Sequence, residues 1–254
     1  MADRKLKIDI RRGKILELLR QKGSVSVAQL SYLLNATTVT IRSDLTALER
    51  DGYLTRMQGG AVLRADRQSA GAGSIVNSAQ KQKIATAVAD RIRDGDTLLI
   101  NSGTTTYFIA QALKSRKNLY IVTNSIDVAK ALGDHPTFRV ILLGGVINAQ
   151  AGFTYGGDAQ EQLERYQADW CILSVDGVST KSGITTCHAE EAILDKMMIH
   201  GAKSVIVAAD QSKIGKAGFT WICDCNSAVN LITEGGDPEE LARLEEADMK
   251  VTIV

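Results

Sequence analysis

Two sets of residues in the 254-residue chain have types and spacings that suit particular chemistry. The first is the run from Thr37 to Arg50. At 100° per residue its Ile41, Leu45 and Leu48 fall on one narrow stripe, which predicts a core-facing helix. The Thr37 hydroxyl suits an unpaired amide at the helix start. The opposite side carries Thr38, Val39, Thr40, Arg42, Ser43 and Thr46, with Asp44 and Glu49 nearer the flanks. A guanidinium can reach guanine or phosphate, hydroxyls can reach either, and exposed methyls suit thymine. The same inventory suits acid/base catalysis poorly. Thr37, Thr38, Val39, Thr40, Arg42, Ser43 and Thr46 are therefore expected to contact DNA.

The second set sits at the ends of short apolar runs: Asn101-Ser102-Gly103-Thr104-Thr105-Thr106, Thr123-Asn124-Ser125, Gly144-Gly145, Asp176-Gly177 and Asp210-Gln211-Ser212-Lys213. Gly103 allows close backbone approach, and the hydroxyls and helix-start amides around it supply donors, so 101–106 reads as a phosphate cradle. One such loop is what helix capping alone would produce. Five on one edge make a binding crevice, and Asp176, Asp210 and Lys213 beside the phosphate donors fit a phosphorylated polyol.

The elements that must position these residues follow from periodicity. Residues 11–22 predict a helix with Ile15, Leu18 and Leu19 inward, ended by Gly23. Ser26 caps a second helix over 27–34, and Asn35-Ala36 forms the turn of a helix-turn-helix. Residues 53–57 and 61–63 predict a hairpin that places Arg56, Gln58 and Gly59 on a wing. Residues 64–79 are rich in Gly, Ala and Ser and read as a linker. Beyond it, helices over 80–92, 105–114, 126–132, 157–166, 189–200 and 238–246 alternate with strands over 97–100, 119–122, 140–143, 170–175, 204–208, 229–233 and 250–254. That alternation predicts an α/β body with a mostly parallel sheet covered on both faces, binding ligands at the carboxyl ends of its strands. The expected organisation is a winged helix-turn-helix DNA-binding domain over 1–63, a linker over 64–79, and an effector-binding and oligomerisation domain over 80–254.

Charge agrees with this division. Residues 1–63 hold 11 Lys/Arg against 6 Asp/Glu, a net of +5, while the whole chain is only +1. A basic head on a mildly acidic body excludes a general polyanion binder and confines DNA contact to one small module. No run approaches the ~20 apolar residues of a membrane span, and the basic start lacks the apolar core of a signal peptide, so a cytoplasmic protein with no membrane partner is expected. Cys171, Cys187, Cys223 and Cys225 form no CxxC pair, and His135, His188 and His200 do not cluster. Buried reduced thiols are expected, with no metal and no cofactor.

Nearly the whole chain resembles the DeoR-type family of bacterial sugar-responsive transcription regulators. The resemblance rests on Val39-Thr40-Ile41-Arg42-Ser43-Asp44-Leu45, Arg56-Met57-Gln58-Gly59-Gly60-Ala61-Val62, Asn101–Thr106, Val122-Thr123-Asn124-Ser125 and Leu143-Gly144-Gly145. It continues through Val175-Asp176-Gly177, Gly183-Ile184-Thr185-Thr186, Glu190-Glu191-Ala192 and Asp210-Gln211-Ser212-Lys213-Ile214-Gly215. It implies a repressor that binds operator DNA as a dimer or tetramer and releases it when a phosphorylated sugar binds a body similar to ribose-5-phosphate isomerase and CoA-transferase-like folds. By position it implies a phosphate on Ser102–Thr106, with Asp176, Glu190 and Lys213 facing the sugar and Thr185 close by. The chain departs from the family pattern at Ser43, where a second Arg is usual, and at Gln58, Asn101, Ser174-Val175 and Gln211.

Two other functions fit parts of the sequence. An isomerase would use Glu190 or Glu191 as base, with Asp176 and Lys213. Acids at a helix start are explained more simply by the helix dipole, and the DNA-reading head favours regulation. An interaction module with a vestigial pocket would not need the intact Ser-Gly-Thr-Thr-Thr loop.

Overall fold

The computed structural model describes residues 11–254 except 13, 16, 17, 20–22, 51–53, 58, 64–76, 150, 227 and 228. The chain divides into two compact units, Met1–Ser78 and Ala79–Val254. The linker expected over 64–79 lies outside the described residues as far as 76; helix begins at Ser78 instead of Gln80.

In the first unit the described residues between 11 and 19 are helical. Gly23 lies at φ +73°, its amide donating to Leu19 O at 2.8 Å. Ser26 heads α1 (Val27–Leu33) with a capping box: Gln29 N donates to Ser26 Oγ at 3.1 Å, and Ser26 N donates to Gln29 Oε1 at 3.0 Å. Asn35 turns the chain at φ +47° into α2 (Thr38–Arg50), where Thr40 N donates to Thr37 Oγ1 at 3.2 Å. Ile41, Leu45 and Leu48 all point into a core shared with Ile15, Leu19, Val25 and Leu30. The wing is an antiparallel pair, β2 (Leu54–Met57) with β3 (Gly60–Leu63). A further strand, β1 (Ser24–Ser26), joins the other edge of β3. Three residues are too few to display a period of two, so β1 is hidden from sequence patterning. Gly60 makes this closeness possible, because a Cβ there would lie 2.4 Å from Val25 O.

In the second unit, among the described residues, seven strands form one wholly parallel sheet. They are β4 (Thr97–Ile100), β5 (Tyr120–Thr123), β6 (Arg139–Leu142), β9 (Ala168–Ser174), β12 (Ala202–Ala208), β14 (Val229–Thr233) and β15 (Lys250–Ile253), in the order β15-β14-β12-β9-β4-β5-β6. The helices are α3 (Ser78–Ala89), α4 (Thr104–Leu113), α5 (Ile126–Leu132), α6 (Gly157–Leu163), α7 (Ala189–His200) and α8 (Pro238–Glu246). Runs such as Leu98-Leu99-Ile100 and Val205–Ala208 are buried throughout, as a sheet covered on both faces requires. From β4 the chain steps outward through β5 to β6, then returns to lay β9 on the other side of β4 and moves away through β12. The direction of winding reverses between β4 and β9, the place where an open α/β sheet forms its crevice.

Two antiparallel additions escape the periodicity: the hairpin β7 (Val146–Asn148) with β8 (Phe153–Tyr155), and a sheet of β10 (Gly177–Ser179), β11 (Gly183–Thr186) and β13 (Thr220–Cys223). Each strand is three or four residues long and interleaved with polar or glycine positions.

Candidate nucleic-acid face and ligand crevice

On α2, Thr38, Val39, Arg42, Ser43 and Thr46 are exposed opposite the buried stripe, Val39 by 73%, and Thr40 is half-buried. Thr37 is exposed as well, with its hydroxyl serving the cap and lying 2.9 Å from Thr40 Oγ1. Asp44 is not at a flank. It is buried and accepts from Arg11 Nε at 2.5 Å and Arg12 Nε at 3.1 Å, so two guanidinium groups of the preceding segment neutralise it. Arg56 lies against α2: its Nη1 donates to Thr46 Oγ1 at 2.9 Å and its amide to Glu49 Oε1 at 2.8 Å. Thr46 Oγ1 in turn donates to Arg42 O at 2.9 Å. Gly59 turns the wing at φ +83°, and its carbonyl accepts from Val27 N at 2.8 Å. Gln58 lies outside the described residues. Among the described residues, the exposed side chains of α2 that are not hydrogen-bonded to the wing are thus Thr38, Val39, Arg42 and Ser43, a set whose chemistry suits base edges and phosphates.

In the second unit the β4 and β9 ends are clasped by Asn101. Its Nδ2 donates to Ser174 O at 3.0 Å and to Asp195 Oδ1 at 3.0 Å, while Ser174 N donates to Asn101 Oδ1 at 2.8 Å. Ser102 is buried and its Oγ donates to Glu191 Oε1. Gly103 then adopts φ +147°, and a Cβ there would stand 2.6 Å from both Ser174 Cβ and Ser174 Oγ. α4 begins at this glycine with no side-chain cap on its first-turn amides. Gly103 and Thr104 are exposed, whereas Thr105 and Thr106 are buried, Thr106 Oγ1 donating back to Gly103 O at 3.0 Å. Uncapped amides at the positive end of a ten-residue helix, reached past a glycine, have the chemistry to receive an anion.

The facing wall is acidic. Asp176 Oδ2 accepts from Cys187 N at 2.8 Å and Thr186 Oγ1 at 3.3 Å, and Asp176 Oδ1 from Lys213 Nζ at 3.2 Å. Burial opposes its charge, but Lys213 and the Cys187 amide outweigh that and hold the carboxyl below its usual range. Thr186 Oγ1 also reaches Glu191 Oε2 at 3.4 Å. Burial, aided by the charge of Asp176 and opposed by the hydroxyls of Ser102 and Thr186, pushes Glu191 up to about 7. Burial and the neighbouring Glu191 also raise Asp195 well above the carboxylate range. Asp195 Oδ2 and Asn124 Oδ1 are buried atoms without a hydrogen-bond partner among the described residues.

The structure sorts the expected ligand residues. It brings together Asn101, Ser102, Gly103, Asp176 and Lys213, and leaves Thr104 exposed at the helix tip. Glu190 is exposed and turned away; its neighbour Glu191 faces Ser102, because one helical step rotates a side chain by 100°. Asp210 is buried, accepting from Lys81 Nζ, from Ser212 N at 3.0 Å and from Ser212 Oγ at 2.5 Å. Burial works against its charge, and Lys81 and Ser212 hold it below the usual range. Thr123 Oγ1 accepts from Ser125 N at 3.0 Å, and Thr185 Oγ1 joins Gly177 O at 3.2 Å to Gly218 N at 2.7 Å, so both buried hydroxyls are engaged in holding backbone. Gly177 packs against Lys216 O, which a Cβ would meet at 2.4 Å. Gly144 N donates to Gln162 Oε1 at 3.0 Å, and Gly145 sits at φ +136° over Tyr155 O. Both follow β6, two strands or roughly 10 Å from β4. Thr186 and Asp195 are the crevice participants that the sequence reading missed; it reached Ser174 only as a departure from the family pattern and Glu191 only as an isomerase base. One signal was available: Glu191, Leu194, Asp195 and Met198 occupy i, i+3, i+4 and i+7, which places two acids in a buried stripe.

Among the described residues, two grooves lie away from this crevice. One of about 350 Å³ is lined by residues including Gly236, Leu241 and Ile253, the other of about 560 Å³ by residues including Tyr166, Ile193 and Met197. No described group of three or more His, Cys, Asp or Glu is placed to hold a metal, and no described helix is long and apolar enough to cross a membrane. The thiols expected to be buried divide: Cys171 is buried, Cys223 and Cys225 are half-buried, and Cys187 is exposed.

A winged helix-turn-helix head followed by a parallel-sheet body with such a crevice defines a DNA-binding transcription regulator with a sensor domain. The pattern of the DeoR-like helix-turn-helix domain matches residues 11–67, and that of the DeoR C terminal sensor domain matches residues 76–235. The chain belongs to the DeoR family. It is 33% identical over 250 residues to a putative aga operon transcriptional repressor of Escherichia coli O157:H7, covering 96% of this chain and 93% of that protein. It is 34% identical over 223 residues to the transcriptional repressor GlcR of Bacillus subtilis (strain 168), covering 87% and 86%. It is 31% identical over 214 residues to the glycerol-3-phosphate regulon repressor of Escherichia coli (strain K12), covering 81% and 82%. These relatives are regulators, and the chain is a regulator and not an enzyme. A ribose 5-phosphate isomerase A from Methanocaldococcus jannaschii superposes with a TM-score of 0.41 at 15% identity over 54% of each chain.

Proposed function

We propose that this protein represses a carbohydrate catabolic operon and is released from its operator by a phosphorylated sugar. The observation that carries the reading is the uncapped start of α4 at the β4/β9 switch point, faced by Asp176, Glu191 and Lys213. The helix start suits a phosphate, and the carboxyls opposite suit the hydroxyls of a polyol. The named relatives control an aga operon and a glycerol-3-phosphate regulon, which agrees with a ligand of this class. A single winged module covers little DNA, so binding to paired half-sites by a cytoplasmic dimer or tetramer is part of the proposal. Release requires that the ligand bind the DNA-competent and DNA-incompetent arrangements with different affinity.

Fluorescence anisotropy on DNA from upstream of the protein's own gene tests this, with sugars and their phosphates added in turn. Tight, salt-dependent binding weakened by one phosphorylated sugar, and not by the free sugar, is the expected result. Binding that no compound alters would remove the sensor reading, and absence of specific binding would remove the operator.

A further inference from the structure

We infer that the buried Lys81–Asp210 ion pair is the joint through which occupancy of the crevice reaches the helix leading in from the DNA-binding unit; this rests on the function proposed above. Lys81 belongs to α3, the first helix of the sensor unit, which follows in sequence directly on the segment joining the units. Its side chain is 7% exposed and that of Asp210 is 2% exposed. Taking two charges out of water costs several kcal/mol per ion, and apolar residues would anchor a helix at least as well. α3 also buries Ile84, Ala85, Val88 and Ala89, so the pair is not its sole anchor.

The other end of the pair explains its placement. Asp210 stands two residues beyond the end of β12 and caps the short turn Gln211–Lys213. Within that turn Lys213 holds Asp176, the carboxylate that shares Thr186 with Glu191, which in turn holds Ser102 at the anion site. The segment is stitched onward by Gly215 N donating to Val178 O at 2.8 Å. One turn therefore carries two ion pairs, Lys213–Asp176 in the crevice and Asp210–Lys81 on α3. A phosphorylated ligand at α4 competes with Asp176 for Lys213. Withdrawing Lys213 displaces the turn, and Asp210 carries the displacement to α3. Lys81 is a positioning residue that acts through Asp210.

The test is the double variant Lys81→Gln/Asp210→Asn, which replaces both charges with amides and leaves no unpaired buried ion. The probes are glucose 6-phosphate, ribose 5-phosphate and glycerol 3-phosphate, read by melting temperature and by operator anisotropy. In the wild-type protein the probe that raises the melting temperature weakens operator binding about tenfold or more. The variant keeps that melting shift and its ligand-free operator affinity, but its release falls below twofold. Lys81→Arg, which keeps the charges, restores release. Full release by the double variant overturns the joint, and so does loss of the melting shift together with release, which would make the pair part of the ligand site. Should the double variant not fold, amide exchange of α3 in the wild-type protein decides. A probe that releases the operator must alter α3 exchange, and unaltered exchange overturns the inference. A wild-type protein that no probe shifts or releases removes the proposed function, and the joint with it.

Discussion

Asn101 and Ser174 hold each other by reciprocal hydrogen bonds at the carboxyl ends of β4 and β9, the Asn101 side chain taking the place of one more residue of strand pairing. The amide that donates to Ser174 also donates to Asp195. One side chain thus closes the switch point, seats Gly103 against Ser174 and orients a buried acid.

Asn101→Ala should therefore destabilise the sensor unit by about 2–4 kcal/mol, since each buried group left unpaired costs about 1–3 kcal/mol. Urea denaturation reads this directly. A loss below about 0.5 kcal/mol would mean that the clasp is dispensable.

Glu191 gives the sensor unit a defined pH response. A free glutamate titrates at 4.5 and Glu191 at about 7, so between these values the folded chain keeps a proton that the unfolded chain has lost. Stability falls as pH rises from about 4.5 to about 7 and levels off above. Asp195 is raised in the same direction, whereas Asp176 and Asp210 are lowered and lose stability only as pH falls below the carboxylate range. Glu191→Gln should flatten the melting temperature between pH 5 and 7, within roughly the range set by the folded and free values. An unchanged profile would place the slope in other groups.

Thr104→Glu should leave operator binding unchanged and block release by any phosphorylated sugar, because it sets a carboxylate where the phosphate is proposed to sit. An acid in the first turn of α4 favours the helix dipole by about 0.3–1 kcal/mol, so the variant should melt no lower than wild type. Normal release by this variant would move the phosphate site elsewhere.

Arg42 and Arg56 should respond differently. Arg42 is exposed on the open face, and Arg42→Ala should weaken operator binding by about 1–3 kcal/mol. Arg56 is held by Thr46, so Arg56→Ala acts by loosening the wing from α2, and Thr46→Val should reproduce part of that loss. Equal anisotropy for Thr46→Val and wild type would show that Arg56 acts without Thr46.

Much of this was legible in the chain. Ile41, Leu45 and Leu48 declared the buried side of α2, and the alternation of helices with short β-branched runs declared a parallel sheet, since both depend only on local periodicity. The hairpin pattern puts Arg56 on the wing, but its bond to Thr46 has no local signal, because it joins residues ten apart through a fold between them. The strands β1, β7, β8 and β10, of three residues each, are too short to show a period, and β11 and β13 interrupt theirs with glycine or polar positions. Position in the family motif points to Glu190, whereas the apolar stripe through Leu194 and Met198 points to Glu191.

What the sequence determined by itself was the kind of element at each stretch and the chemistry at each strand end, because backbone preference and hydrophobic period are written over a few residues. What only the tertiary structure decided was which strand ends became neighbours. Strand order places β9 beside β4, so Asn101 meets Ser174 and Ser102 meets Glu191, and the packing of α3 brings Lys81 to Asp210 across 129 residues. Those meetings depend on long-range pairing, for which no local pattern carries a signal.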